Sequence, residues 1–332
     1  MHRFSRRSAA RPAPLLVQQL ESRLVPALTY HGGALLHHVD VQNVYLGDGW
    51  LGSAFRTSDI NKFEAFTKYI VKSPYMDMLA KAGYHVGRGK SEPGIIVGDN
   101  LGSSVSNATI QADLQSLITN DANMQQPNKN RLYQVFVAPS VLVTKPGGDS
   151  QNNFLAYHSS FHGTNADGKA FTIAYSVMPY QGTGVNAIAS LVPLTSFDAI
   201  TEATTHELAE AATDPLVNES DIKLTGWWGE TTGNENGDVV NQQVVLLNGW
   251  VVQKEVTPKL VTIVPRGSFD YVVFASGLSS SPAAELVSAF TPADLGYDPS
   301  SPFGSPSGIM ALTTGAVKDR SPWDTETLYG GR

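Results

Sequence analysis

The stretch from Thr195 to Pro215, TSFDAITEATTHELAEAATDP, constrains the fold more than any other part of this chain. Thr195 and Ser196 are residues that cap helix N-termini, and Asp198 lies where the helix dipole is positive. Pro215 stands just past the point at which a helix stops. The stretch therefore predicts a helix from about Thr195 to Asp214. Ala209, Ala211 and Ala212 are small, so the helix can pack closely against its surroundings.

Those surroundings read as strands and shorter helices. Tyr30–Gly47 alternates apolar and polar residues in its second half, as a half-buried strand does. Ser58–Ser73 and Ser106–Asp121 carry apolar residues at helical spacing behind capping residues. GIIVGD and Leu132–Thr144 read as strands, the second bent at Pro139, and HVGRGKSEPG reads as a turn. FLAYHSSFHGT and FTIAYSVMPY form a hairpin pair across the turn-rich NADGK. VVLLNGWVVQKEV contains the Asn-Gly of a tight hairpin, and LVTIVP and FDYVVFA supply the last strands. With 30 Gly, 19 Pro and only 16% charged residues in 332, the chain suits a strand- and loop-rich domain better than a helical bundle. The expected fold class is α+β, a mixed sheet flanked by helices.

Residues 1–29 read as a basic leader, 30–276 as one domain, and 277–332 as a Ser/Pro/Gly-rich tail with one short helix around Pro282–Phe290. No window reaches the length of apolar residues a membrane span needs. The net charge of −7 argues against broad nucleic-acid binding. The absence of cysteine excludes disulfides, zinc–thiolate sites and thiol nucleophiles. In the leader, LESRLVPA (Leu20–Ala27) follows an arginine-rich start and resembles the Leu-Glu-x-Arg segment of exported and surface proteins of planctomycete bacteria. That resemblance implies an extracellular or cell-surface location.

The chemistry lies on the Thr195–Asp214 helix. His206 and Glu210 are one turn apart on one face, the geometry by which His-Glu-x-x-His delivers two ligands to zinc. Glu207 occupies the position of the general base in that motif. The same residues also fit a solvated helix with an exposed histidine and three glutamates. GNENGD (Gly233–Asp238) follows; in gluzincin proteases a glutamate downstream of the helix is the third ligand, a place Glu235 would take, with Asp238 a few positions on. Asn-Glu-Asn-Gly-Asp is equally good turn chemistry. In YHSSFHG, His158, Ser160 and His162 share a face of a strand, and the two histidines lie about 13 Å apart. At most one of them joins a metal site. His37 and His38 face opposite sides, His31 and His85 have no partners in sequence, and no Gly-x-Ser-x-Gly elbow is present.

YHGGALL, YHSSF, HELAEAATDP and NENGD, in that order, resemble the exordium-like (phosphate-induced) proteins of plants and their bacterial relatives, over about Tyr30–Pro265. The cysteines of the plant members have no counterpart here, and Asn236 replaces the usual apolar residue after Glu235. With the helix motif, the resemblance implies a zincin-like metallopeptidase arrangement. His206, Glu210, Glu235 and Asp238 would hold Zn2+ or another divalent cation, with Glu207 and His158 in catalytic roles on a peptide or an extracellular polymer. Replacing the second histidine by Glu210 lowers the charge of a zinc site from about +1 to about zero, which weakens it as a Lewis acid. The plant members equally imply a non-catalytic surface or matrix protein that binds polysaccharide.

Overall fold

A computed structural model describes residues 27–52, 54–181, 186, 194–217, 225–230 and 233–271. Its centre is a five-stranded sheet of β1 (His38–Leu46), β2 (Gly87–Val97), β3 (Arg131–Val137), β4 (Tyr157–Thr164) and β5 (Ala170–Pro179). The order is β2-β1-β3-β5-β4, parallel throughout except for β4, which runs antiparallel to β5 at one edge. The sheet is flanked by α1 (Ala54–Ile70), α2 (Pro74–Ala82), α3 (Asn107–Asn120) and α4 (Ser196–Thr213). A hairpin of β6 (Val244–Leu247) and β7 (Trp250–Gln253) packs on α4. The architecture is thus a mixed α/β one with several sheets and, among the described residues, four α-helices. No helix among the described residues is long and apolar enough to cross a membrane.

Helices cover both faces of the sheet. Asn43 of β1 bonds Glu64 and Thr67 of α1, and His158 of β4 bonds Glu207 of α4, which places α1 and α4 on one face. Tyr157 and Tyr175 donate to Asn107 of α3 on the other. The α1/α4 face is not uniformly apolar. Asn43, Gln134, Ser176 and His158 are neighbours in register across β1, β3, β5 and β4, and all four are buried. This polar row is about 14 Å long at normal strand spacing. It separates a cluster containing Val41, Leu132 and Ala174 from one containing Tyr45, Phe136 and Met178, and it ends at His158.

Several elements differ from expectation. HVGRGKSEPG is not a turn, since Gly87–Val97 forms edge strand β2. Its glycines mark irregular pairing with β1, and a Cβ at Gly89 would lie against Val39 O. The first helix starts at Ala54, before Ser58, and Asp59 accepts a hydrogen bond from Tyr180 rather than capping. A separate helix, α2, follows, capped by Ser73 with Pro74 in its first turn and left-handed Gly83 at its end. The Leu132–Thr144 strand is two elements. β3 ends at Val137, Ser140 takes a positive φ of 66°, and Leu142–Lys145 pairs with Ser104–Ser106 in another sheet. Trp227–Trp228 forms a short strand pair with Thr29–Tyr30. Leu28, within the span read as leader, is buried, and its N–H donates to Pro258 O at 2.8 Å. The leader up to residue 26 and the tail at 277–332, with its expected helix, lie outside the described residues.

Candidate metal centre

α4 is held at its start by Thr195, whose Oγ1 accepts from the Asp198 N–H at 3.2 Å. It lies between the sheet and the β6–β7 hairpin and is buried on nearly all sides, so the solvated-helix alternative does not hold. Glu202, Glu207 and Glu210 are each no more than 5% exposed. Glutamates rarely occupy such positions unless paired; here Glu207 meets His158 of β4, Glu210 meets His206 one turn back and the Asp238 N–H, and Glu202 accepts from the Gln242 backbone.

His206 Nε2 lies 3.1 Å from Glu210 Oε2 and 3.8 Å from Asp238 Oδ1. On β4, His158 Nδ1 lies 3.1 Å from Glu207 Oε2 and 3.6 Å from Glu210 Oε2, and its Nε2 lies 3.6 Å from Glu235 Oε1. His158 Nε2 and Glu235 Oε1 are both buried without a hydrogen-bond partner. Donors bonded to one tetrahedral zinc at about 2.0–2.2 Å stand about 3.3–3.6 Å from one another. Hydrogen-bonded N and O atoms lie closer, at about 2.9–3.0 Å. The separations of 3.6 and 3.8 Å are too long for direct hydrogen bonds and near those of shared coordination, whereas the two 3.1 Å contacts are hydrogen bonds. The donor set, imidazole with carboxylate, fits zinc or manganese. Solvent reaches the cluster on the side of Asp238, whose side chain is 42% exposed.

Charge in the cluster is unbalanced. Burial raises Glu210, and it raises Glu235 well above the ordinary carboxylate range. Burial also pushes Glu202 up to about 7 against the pull of His206, and Asp214 up to about 6 against the pull of His158. For His158 burial acts downward, but the charges of Glu235, Glu207 and Glu210 prevail and raise it to about 10. The same contest, led by Glu210, raises His206. Protons thus hold the metal-free cluster together, and a cation at the same place would substitute for them.

All six residues singled out from the sequence, His158, His206, Glu207, Glu210, Glu235 and Asp238, meet in this cluster. His162 does not; it is exposed, 3.5 Å from Thr172 Oγ1. His37 and His38 lie at the start of β1, bonding the carbonyls of His85 and Arg88, and His31 stacks on Trp228. Two contributors gave little sign in the sequence. The Gln253 amide of β7 lies against His206 Nδ1, with Nε2 at 2.9 Å and Oε1 at 3.2 Å, and holds that ring from behind; Nε2 also donates to Gly237 O at 3.0 Å, and Oε1 accepts from the Gln242 N–H at 3.0 Å. Gly237 leaves room for this, because a Cβ there would come within 2.9 Å of His206 Nδ1 and 3.0 Å of Glu210 Oε1. Asp238 N–H donates to Glu210 Oε1 at 3.1 Å, which ties the loop to α4.

No protein-family model matches the chain, and neither a curated protein nor a solved structure matches it significantly.

Proposed function

We propose that the chain is an exported metal-dependent hydrolase, peptidase-like in substrate, with a zincin-like arrangement around α4. The observation that carries this reading is one buried cluster of two imidazoles and several carboxylates, in which Glu210 Oε2 lies 3.1 Å from His206 Nε2 and 3.6 Å from His158 Nδ1, and Asp238 Oδ1 lies 3.8 Å from His206 Nε2. A bound divalent cation, zinc first, would polarise a scissile carbonyl and acidify a water. His206, Glu210 and Asp238 would hold it; Glu235, expected as a third ligand, stands in neither group of converging donors and faces His158 Nε2 instead. Glu207 would take the proton from the attacking water, and its 3.1 Å contact with His158 Nδ1 would hold its carboxylate in position. Gln253 would keep His206 turned so that Nε2 faces the cation.

The mixed sheet supports the zincin-like reading, because its antiparallel edge strand β4 lies along the His-Glu helix. Membership of the exordium-like family, and an extracellular or cell-surface address, rest on the motif order and the leader. A second reading is favoured by one contact. Glu207 and His158 already form a buried pair, as they would in a non-catalytic surface protein whose motif residues form an internal polar network.

Digestion of a peptide library by the full chain separates the two readings. Cleavage should vanish with chelator, return with Zn2+ or Mn2+, and be absent in Glu207→Gln. Absence of cleavage from metal-loaded wild type, or cleavage that ignores chelator, contradicts the hydrolase reading.

A further inference from the structure

The cluster has two halves built alike. In one, His206 turns Nε2 toward Glu210 Oε2 and Asp238 Oδ1, and Gln253 holds its other nitrogen. In the other, His158 turns Nδ1 toward Glu207 Oε2 and Glu210 Oε2, and its other nitrogen faces Glu235 Oε1. Each half offers three ligand atoms that all lie within 4.8 Å of one another. Glu210 belongs to both, with Oε2 3.1 Å from one imidazole and 3.6 Å from the other.

We propose that the site takes two divalent cations bridged by Glu210, one on His206, Glu210 and Asp238, the other on His158, Glu207 and Glu210. The proposal rests on the reading of the cluster as a metal centre and doubles it. Two independent observations lead beyond one ion. The first is charge. Glu207, Glu210, Glu235 and Asp238 all face the cluster, against two imidazoles. One divalent ion with neutral histidines offsets half of that negative charge, and two offset all of it. Buried charge without compensation is costly.

The second observation is the unpartnered pair on the His158 side. That side chain is 95% buried, and its Nε2 lacks a hydrogen-bond partner, as does Glu235 Oε1 facing it at 3.6 Å. Metal-binding histidines usually give their second N–H to a carboxylate or carbonyl, which fixes the ring. A cation on Nδ1 leaves the proton on Nε2, and a small closure onto Glu235 then satisfies both orphan atoms. Glu235 on this side corresponds to Gln253 on the other. In the doubly loaded protein Glu207 is a ligand, so its role as proton acceptor is confined to the singly loaded form. Two ions about 3.5–4 Å apart would supply one centre to acidify the attacking water and one to polarise the substrate carbonyl.

The test is stoichiometry. Full-length protein is stripped with chelator, reloaded with Mn2+, freed of excess, and its metal content and electron paramagnetic resonance recorded. Wild type should hold two ions per chain with an exchange-coupled spectrum. His158→Ala and the near-isosteric Glu207→Gln should each hold one, with the six-line spectrum of isolated Mn2+. If wild type saturates at one ion and His206→Ala removes it, the two-ion proposal fails while the metal centre stands. If wild type holds two ions but both His158→Ala and Glu207→Gln retain two, the second ion lies elsewhere and the proposal also fails. If wild type binds none, both fall.

Discussion

Replacing Gly237 by alanine should disturb the centre without removing any ligand. Gly237 has an ordinary helical backbone, with φ −73° and ψ −39°, so alanine meets no conformational penalty there. The added Cβ would lie 2.9 Å from His206 Nδ1, 3.0 Å from Glu210 Oε1 and 3.1 Å from Gln253 Nε2. Comfortable contacts for a carbon are about 3.5–4.0 Å, so three site atoms must each give way by roughly half an ångström. None is free to swing aside. His206 and Gln253 hold each other, Gln253 bonds Gly237 O, and Glu210 is tied by the Asp238 N–H. Overpacking of this kind costs about 1–3 kcal/mol, or a fall in Tm of roughly 2–10 °C for a domain of this size. Metal affinity should drop about 10–100-fold, as when an orienting partner of a ligand is lost. Thermal melts, with chelator-competition titrations on the same samples, give both numbers. A variant that matches wild type in Tm and in metal affinity would refute the tight packing of His206, Glu210 and Gln253 around Gly237.

Other outcomes follow from the same contacts. Gln253→Ala should lower metal affinity about 10–100-fold by freeing the His206 ring, measurable by the same titration. Gly249→Ala tests the remote hairpin. Asn248 and Gly249 both have positive φ, 52° and 82°, and no atom outside the turn approaches Gly249. That variant should lose about 1 kcal/mol in a denaturant melt and keep wild-type metal affinity. For the metal-free protein, His158 at about 10 keeps a proton that the unfolded chain releases near its ordinary 6.5, and Glu202 at about 7 does the same above 4.5. Both contributions are full at low pH and are lost as pH rises, His158 between about 6.5 and 10 and Glu202 between about 4.5 and 7. Metal binding needs deprotonated ligands and therefore strengthens with pH. The Tm difference between loaded and chelator-treated protein should widen from pH 6 to pH 9 in a fluorescence melt, and a constant difference would contradict this charge balance.

The elements that sequence foretold are those whose signals are local. Thr195 and Pro215 bracket α4, Ser106 opens α3, and Asn248-Gly249 makes the hairpin turn; each acts within a few residues. The signal for α2 was also local, Ser73-Pro74 at one end and Gly83 at the other. It was hidden because the preceding helix runs almost into it. β2 was obscured because glycine marks both turns and bulges, and only pairing with β1 tells them apart. The depth of α4 was not legible. Three glutamates and a histidine look solvated until the groups that neutralise them are known, and His158 reaches them only through the sheet order that sets β4 beside α4. Gln253, 47 residues beyond His206, has no signal of its own; a glutamine on a short strand reads as an edge residue.

The central claim is that Glu210 and His206 share a cation. Anomalous diffraction from crystals of the full chain grown with Zn2+ or Mn2+ tests it most directly. The account predicts a peak about 2.0–2.2 Å from His206 Nε2 and from a Glu210 carboxylate oxygen. Well-ordered His206 and Glu210 with no peak between them, at saturating metal, would contradict it.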